Sequence, residues 1–357
     1  MRCTLRHITL ALALASAWAG SASAHDYCVS TAVGIQNALT AAQTNGEDDT
    51  VYIKSGSYAL TAGLTFVSSE AHAIDIRGAN DDISVCPPAQ AANLAGSGTT
   101  LDGQLLVRPL YIANPNGNSS VIGVSFIDGR PPSGFSGGGL IVTSSSGNVN
   151  VQNCTFSGNR VSGSGASGGA VVAQSGAELS FAQNLLYLNR GTEIGGALLQ
   201  RTAAGGIVIA QNNTIVGNIT DAISAPGGLA IAGSGTFVTQ VIDNIIWNNA
   251  AAGGSDFGID SANLRYSNDI GIVTAGSPAP SPPSAGDVSV DPDFAPCSGV
   301  LCFNFELRRS SPLVDTGTSP GFTPPTDLAG KPRVIGSTID IGAFENDTIF
   351  DNGFEVP

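Results

Sequence analysis

Arg130, Arg160 and Arg190 stand 30 residues apart, and each directly follows a Gly or Asn, at Gly129, Asn159 and Asn189. If each interval is one turn of a stacked structure, the guanidinium groups lie about 4.8 Å apart, the ordinary strand spacing. Like charges that close repel and call for anions between them. Asp128 and Glu193 are near in sequence and could supply carboxylates. A uronate or sulfate chain lying along the row could do the same, because the arginine fork matches carboxylate geometry. The plainer expectation is that the three splay into solvent or pair locally, at little gain in stability.

Other residue types offer less. A lyase would need a Ca²⁺ cluster and an Arg or Lys base, and a glycosidase two or three carboxylates around a scissile bond. Asp291 and Asp293 are the one closely spaced pair in the later region; Asp48-Asp49 and Asp81-Asp82 have turn character, where Asp is favoured for backbone reasons. His25 and His72 are isolated, which is a poor metal signal. No resident metal or cofactor is expected, with Ca²⁺ entering only under a lyase reading. Among the cysteines, Cys28 and Cys86 suit a capping disulfide, and Cys297 and Cys302 flank a short loop and could pair. Cys154 is then left over, as a small buried residue with a free thiol. Pairing does not follow from sequence by itself.

The elements that must position these residues come from a repeat. Val124-Ser125-Phe126, Cys154-Thr155-Phe156, Asn184-Leu185-Leu186, Asn213-Thr214-Ile215 and Asn244-Ile245-Ile246 begin equivalent short segments. Their closing positions, Gly129, Asn159, Asn189, Asn218 and Asn249, are 30, 30, 29 and 31 residues apart. A period in that range marks units that bury their apolar faces only by stacking. One apolar column reads Phe126, Phe156, Leu186, Ile215, Ile246, and another Val121, Val151, Phe181, Ala210, Val241. Alternation at period two around them argues for half-buried strands. Asn159, Asn189, Asn218 and Asn249 are expected to form a hydrogen-bonded ladder and to occupy left-handed corners. Gly138-Gly139-Leu140, Gly168-Gly169-Ala170, Gly195-Gly196-Ala197 and Gly227-Gly228-Leu229 are read as an equivalent second corner. The fold class is therefore all-β, one parallel β-helix.

Gly168-Gly169-Ala170-Val171 and Phe156-Ser157-Gly158-Asn159 resemble the paired signatures of polymorphic outer-membrane protein repeats. Asp291-Pro292-Asp293-Phe294, Ser311-Pro312-Leu313-Val314-Asp315, Asp327-Leu328-Ala329-Gly330-Lys331-Pro332-Arg333 and Asp340-Ile341-Gly342-Ala343-Phe344-Glu345 are similar, in that order, to "choice-of-anchor Q" β-helix proteins. The resemblance implies a right-handed, pectate-lyase-like parallel β-helix with a C-terminal cap, and it assigns the Asp291/Asp293 pair to that cap. It implies no agreed catalytic activity. Parallel β-helices commonly bind or cut acidic polysaccharides, which is fold-level analogy. The Gly-His-Gly and Arg-x-Lys motifs of polygalacturonases are absent.

The boundaries follow. Residues 1–24 read as a secretory signal peptide, with Arg2 and Arg6, an apolar core and Ala22-Ser23-Ala24 as cleavage site. Residues 25–50 would form an N-terminal cap with a short helix after Thr31, in which Val33, Ile35, Leu39 and Ala42 make the apolar face. Coils would fill 51–275, a Pro/Ser/Gly-rich loop 276–290, the C-terminal cap 291–345 and an acidic tail 346–357. The 14 Lys and Arg against 28 Asp and Glu give a net charge of −14, and loss of Arg2 and Arg6 would leave 12 against 28, or −16. That balance argues against nucleic acid and anionic membranes as partners. No segment reaches membrane-spanning length. The expected protein is a secreted or cell-surface β-helix, a monomer and a non-catalytic scaffold, whose partner is an acidic polysaccharide or a cell-surface component. The alternative is a carbohydrate-active enzyme, lyase or glycosidase, on acidic polysaccharide.

Overall fold

A computed structural model describes residues 24–79, 86–87, 98–222, 225–233, 236–251, 257–259, 270–271, 290–297, 303–318 and 324–346. The signal-peptide segment before Ala24, the Asp81-Asp82 pair, Cys302, the proline-rich loop before Val290 and the tail after Asn346 lie outside the described residues.

Every strand pair is parallel, and each strand's neighbours come from the preceding and following coils. Three long sheets result, of eight, seven and eight strands, with a fourth sheet of three very short ones. One coil runs Leu140–Ser144 in the second sheet, Val149–Gln152 in the first and Thr155–Ser157 in the third. The next repeats it as Val171–Ser175, Leu179–Ala182 and Leu185–Tyr187. The chain is a parallel β-helix.

Both apolar columns stack in register. Val121, Val151, Phe181, Ala210 and Val241 pair in one file, and Phe126, Phe156, Leu186, Ile215 and Ile246 in another. All ten side chains are fully buried. Phe126 and Phe156 lie ring on ring at 5.0 Å. Burial of each large member contributes about 1.5–3 kcal/mol, and no coil could bury its own members alone.

The second corner differs from the sequence expectation by one residue. Leu140 pairs with Val171, so Gly138-Gly139 stacks on Gly169-Ala170 rather than on Gly168-Gly169. The coil between them is one residue longer, which a Gly-Gly match does not reveal. Small residues are required there because successive backbones nearly touch. A Cβ at Gly169 would fall inside the van der Waals envelope of Gly195 O and the Arg190 carbonyl.

The N-terminal end holds the helix Ala32–Ala42, started by Thr31, whose Oγ1 accepts the Gly34 N–H at 3.0 Å. Ile35, Ala38, Leu39 and Ala42 face the core. Val33, expected on that face, is 70% exposed. Before the helix comes a strand the sequence did not announce, Ala24–Val29, paired with Asp48–Lys54. The first sheet therefore takes up a strand of the N-terminal segment ahead of the helix. Cys28 in this strand is disulfide-bonded to Cys86. Cys297 is also disulfide-bonded.

Residues 303–318 and 324–346 lie along the side of the helix. Gln183 Nε2 donates to Thr326 O at 2.7 Å, Ala343 N–H to Thr214 Oγ1 at 2.9 Å and Gly342 N–H to Asp243 O at 2.8 Å. These are three consecutive coils. Leu307, Leu313 and Ile341 pack on Ile245, and Leu328 and Ala343 on Leu185. The described part of the expected C-terminal cap is thus a strap across a flank of the solenoid. It docks there on the outward apolar side chains of Leu185, Tyr187, Val216, Ile245 and Trp247, where the preceding coil carries Thr155 and Ser157.

Candidate ligand-contact surface

The arginine row sits just past a corner held by asparagines. Asn159 Nδ2 donates to Asn189 Oδ1 at 2.9 Å, Asn189 to Asn218 at 2.8 Å and Asn218 to Asn249 at 2.9 Å. Each Oδ1 also accepts the backbone N–H of the asparagine one coil earlier. The expected ladder exists, but its members are not the left-handed residues. Asp128, Gly158, Leu188, Gly217 and Asn248, one position earlier, have φ of 49° to 67°. A second ladder runs parallel to the first. Asn184 Nδ2 donates to Asn213 Oδ1 at 3.0 Å, and Asn213 to Asn244 at 2.8 Å. Cys154 stands at the head of this column and gives its N–H to Asn184 Oδ1 at 2.9 Å. Its thiol is free and fully buried, and burial pushes it up to about 12, so it is no nucleophile.

Beyond the first ladder the backbone is held in step. Arg160 N–H donates to Gly129 O at 2.8 Å, Arg190 N–H to Asn159 O at 2.9 Å and Ile219 N–H to Asn189 O at 2.8 Å. Arg160 and Arg190 form a parallel bridge. All three arginines are exposed, on adjacent coils, as the spacing required. Ile219 and Ala250 continue the file and end its charge.

The counter-ions differ from expectation. Arg190 pairs with Asp221 of the next coil, Nη2 to Oδ1 at 2.6 Å, and not with Glu193. Both partners are about half exposed, so the pair contributes at most about 1 kcal/mol. Asp128 makes no ion pair with Arg130 or Arg160. Burial raises its carboxyl, Asp102 adds to that, and Arg160 opposes it only through space. Arg130 and Arg160 have no carboxylate within ion-pair reach among the described residues.

The remaining candidates have local roles. Asp291 Oδ1 accepts the Asp293 N–H, and Asp293 binds Arg308 at 3.2 Å and Ser310 at 2.6 Å, which fixes a turn in the strap. His25 Nδ1 lies 3.9 Å from Glu47 and His72 Nδ1 3.5 Å from Asp48. Among the described residues no three His, Cys, Asp or Glu side chains converge to hold a metal ion. Arg201 and Arg333 are fully buried and cannot reach a ligand in solution. Arg201 stands in register with Ser144 and Ser175 and donates to the carbonyls of Ser175, Ala203 and Gly205. The sequence carries one hint of this role: the arginine interrupts a serine column.

No protein-family model, curated protein or solved structure matches the chain.

Proposed function

We propose that the chain is an exported scaffold whose arginine-bearing corner contacts an acidic polysaccharide or another polyanionic component of a cell surface. One observation carries this reading. A chain with twice as many acidic as basic residues leaves Arg130 and Arg160 exposed on adjacent coils, without an ion pair among the described residues. A planar guanidinium on each coil suits a chain bearing carboxylates or sulfates at intervals. The leader pattern of residues 1–24 and the Cys28–Cys86 disulfide support export to an oxidising compartment. Among the described residues the fully buried carboxylates, Asp243 of the solenoid and Asp327, Asp340 and Glu345 of the strap, are sealed where the two meet, and no glycosidic bond could reach them there.

The test is binding of polygalacturonate and heparin to wild type and to Arg160→Ala, at low and high salt. The substitution is expected to weaken binding about fivefold at low salt, the value of roughly 1 kcal/mol for one exposed charge contact, and less at high salt. Equal affinity at low salt would sink the proposal. Release of unsaturated or reducing ends when Ca²⁺ is added would replace it with the enzyme reading.

A further inference from the structure

We propose that the C-terminal strap is a proton-operated latch, in which one proton held on Glu345 lets the strap close on the flank of the solenoid and loss of that proton loosens it. A sealed cluster of buried carboxylates, remote from the arginine row in sequence, holds the latch. Asp327, Asp340 and Glu345 are all fully buried, and among the described residues the one fully buried cation beside them is Arg333. The solenoid adds another fully buried carboxyl facing Arg333, that of Asp243, whose Oδ2 accepts the N–H and hydroxyl of Thr318 at 2.9 and 3.0 Å. Asp315 and Lys331 face the cluster from its margin; Asp315 Oδ1 accepts Ser337 N–H, and Lys331 Nζ reaches Glu306 at 3.1 Å. Charges buried without compensation are expensive, so the excess must be neutralised.

Hydrogen bonding picks out the group that takes the proton. Both oxygens of Asp327 accept backbone N–H groups, from Lys331 at 2.7 Å and Glu345 at 2.9 Å. Both oxygens of Asp340 do likewise, from Asp315 and Asn346, each at 2.7 Å. Burial raises both carboxyls, and these donors oppose that rise by favouring the ionised form. Glu345 differs. Its Oε1 accepts the Asp340 N–H at 2.9 Å and lies 3.1 Å from Arg333 Nη1, while Oε2 is buried without any partner. Burial pushes the Glu345 carboxyl up to about 8, Asp340 and Asp327 add to this, and Arg333 opposes it.

The direction of the response follows. A carboxyl raised in the folded state contributes stability that is complete below its ordinary value of 4.5 and is lost as pH climbs to about 8. The strap should therefore be closed in acid and loosened in mild alkali, baring Leu185, Tyr187, Val216, Ile245 and Trp247. The molecule carries its own reporter, because Trp18 and Trp247 are its two tryptophans and Trp247 lies under the strap.

In the full chain carrying Trp18→Phe, Trp247 emission and its quenching by acrylamide are followed from pH 5 to pH 9.5, with and without Glu345→Gln. The expected result is a red shift and at least a twofold rise in quenching between the two ends, absent from the Gln form, which imitates the protonated carboxyl. The same transition in both proteins, or none in the parent, would overturn the latch. Hydrogen exchange of the parent, corrected for the intrinsic rate, is the second measurement. Protection should fall with pH in residues 324–346 while that of the asparagine ladder holds, and a parallel fall in both would also refute it.

Discussion

At the scale of the residue, Asn189 shows how the solenoid closes its corners. Its Oδ1 accepts Asn159 N–H at 3.1 Å and Asn159 Nδ2 at 2.9 Å, and its Nδ2 donates to Phe156 O at 2.9 Å and to Asn218 Oδ1. Asn189→Ala would strand a buried N–H, a buried carbonyl and two amide partners at once. Each unmet group costs about 1–3 kcal/mol, so a loss of roughly 3 kcal/mol or more is expected in urea unfolding followed by far-ultraviolet circular dichroism. A loss under about 1 kcal/mol would mean that water replaces the amide. The arginines one position later behave oppositely. Nothing in the fold requires Arg160, so its replacement should leave stability within about 0.5 kcal/mol, and any effect on binding is then a matter of contact.

At the scale of the element, the period in the sequence was legible and its phase was only partly so. Large apolar residues recur in fixed columns because each fills the same space inside the coil, as Phe126 and Phe156 do. The glycine corner misled because Gly168 and Gly169 both satisfy the pattern, and only the hydrogen-bond register decides which stacks on Gly138. Gly169→Ala probes that register. Its Cβ would strike backbone atoms of Gly195 and Arg190, which cannot swing aside, and a cost of about 2–4 kcal/mol is expected. At Gly217, with φ of 65° and open space around the Cβ, alanine should cost only the left-handed penalty of about 1–2 kcal/mol. Equal thermal midpoints for the two variants would refute the register argument. The strand Ala24–Val29 stayed hidden because Ala-His-Asp-Tyr-Cys-Val does not alternate; it is an edge strand that needs only one partner. The strap's docking site did leave a signal. Leu185, Ile245 and Trp247 add apolar side chains to the outer face of strands whose inner face is already apolar.

For the whole molecule, stability is a chain of neighbour interactions, so damage should stay near its source. The Cys28–Cys86 bridge ties the first strand to a loop 58 residues away. A Cys28→Ser, Cys86→Ser double variant should lose about 2–4 kcal/mol of local stability. Hydrogen exchange should then quicken in Ala24–Val29 and Asp48–Lys54, while Val149–Gln152 and later strands keep their protection. Uniform quickening would instead describe one cooperative unit. The candidate surface was less legible than the fold for a related reason. Spacing placed Arg130, Arg160 and Arg190 on one edge, but the partner of Arg190 comes from Asp221, whose nearness depends on how the next coil is closed.

Both asparagine ladders have a direction. Every link from one asparagine side chain to the next runs forward, from Nδ2 to the Oδ1 of the following coil, while the same amides give a second hydrogen to a backbone carbonyl of the coil before. The structure is therefore written in indivisible words of 29 to 31 residues. If a gene duplication or deletion removes or adds one whole word, each amide again meets an oxygen. A change of another length inside a strand or ladder segment shears the ladders and apolar files, whereas a corner loop absorbs it, as the 45 residues from Ile74 to Ser119 show, so the lineage of such a chain should vary by entire coils or at its corners.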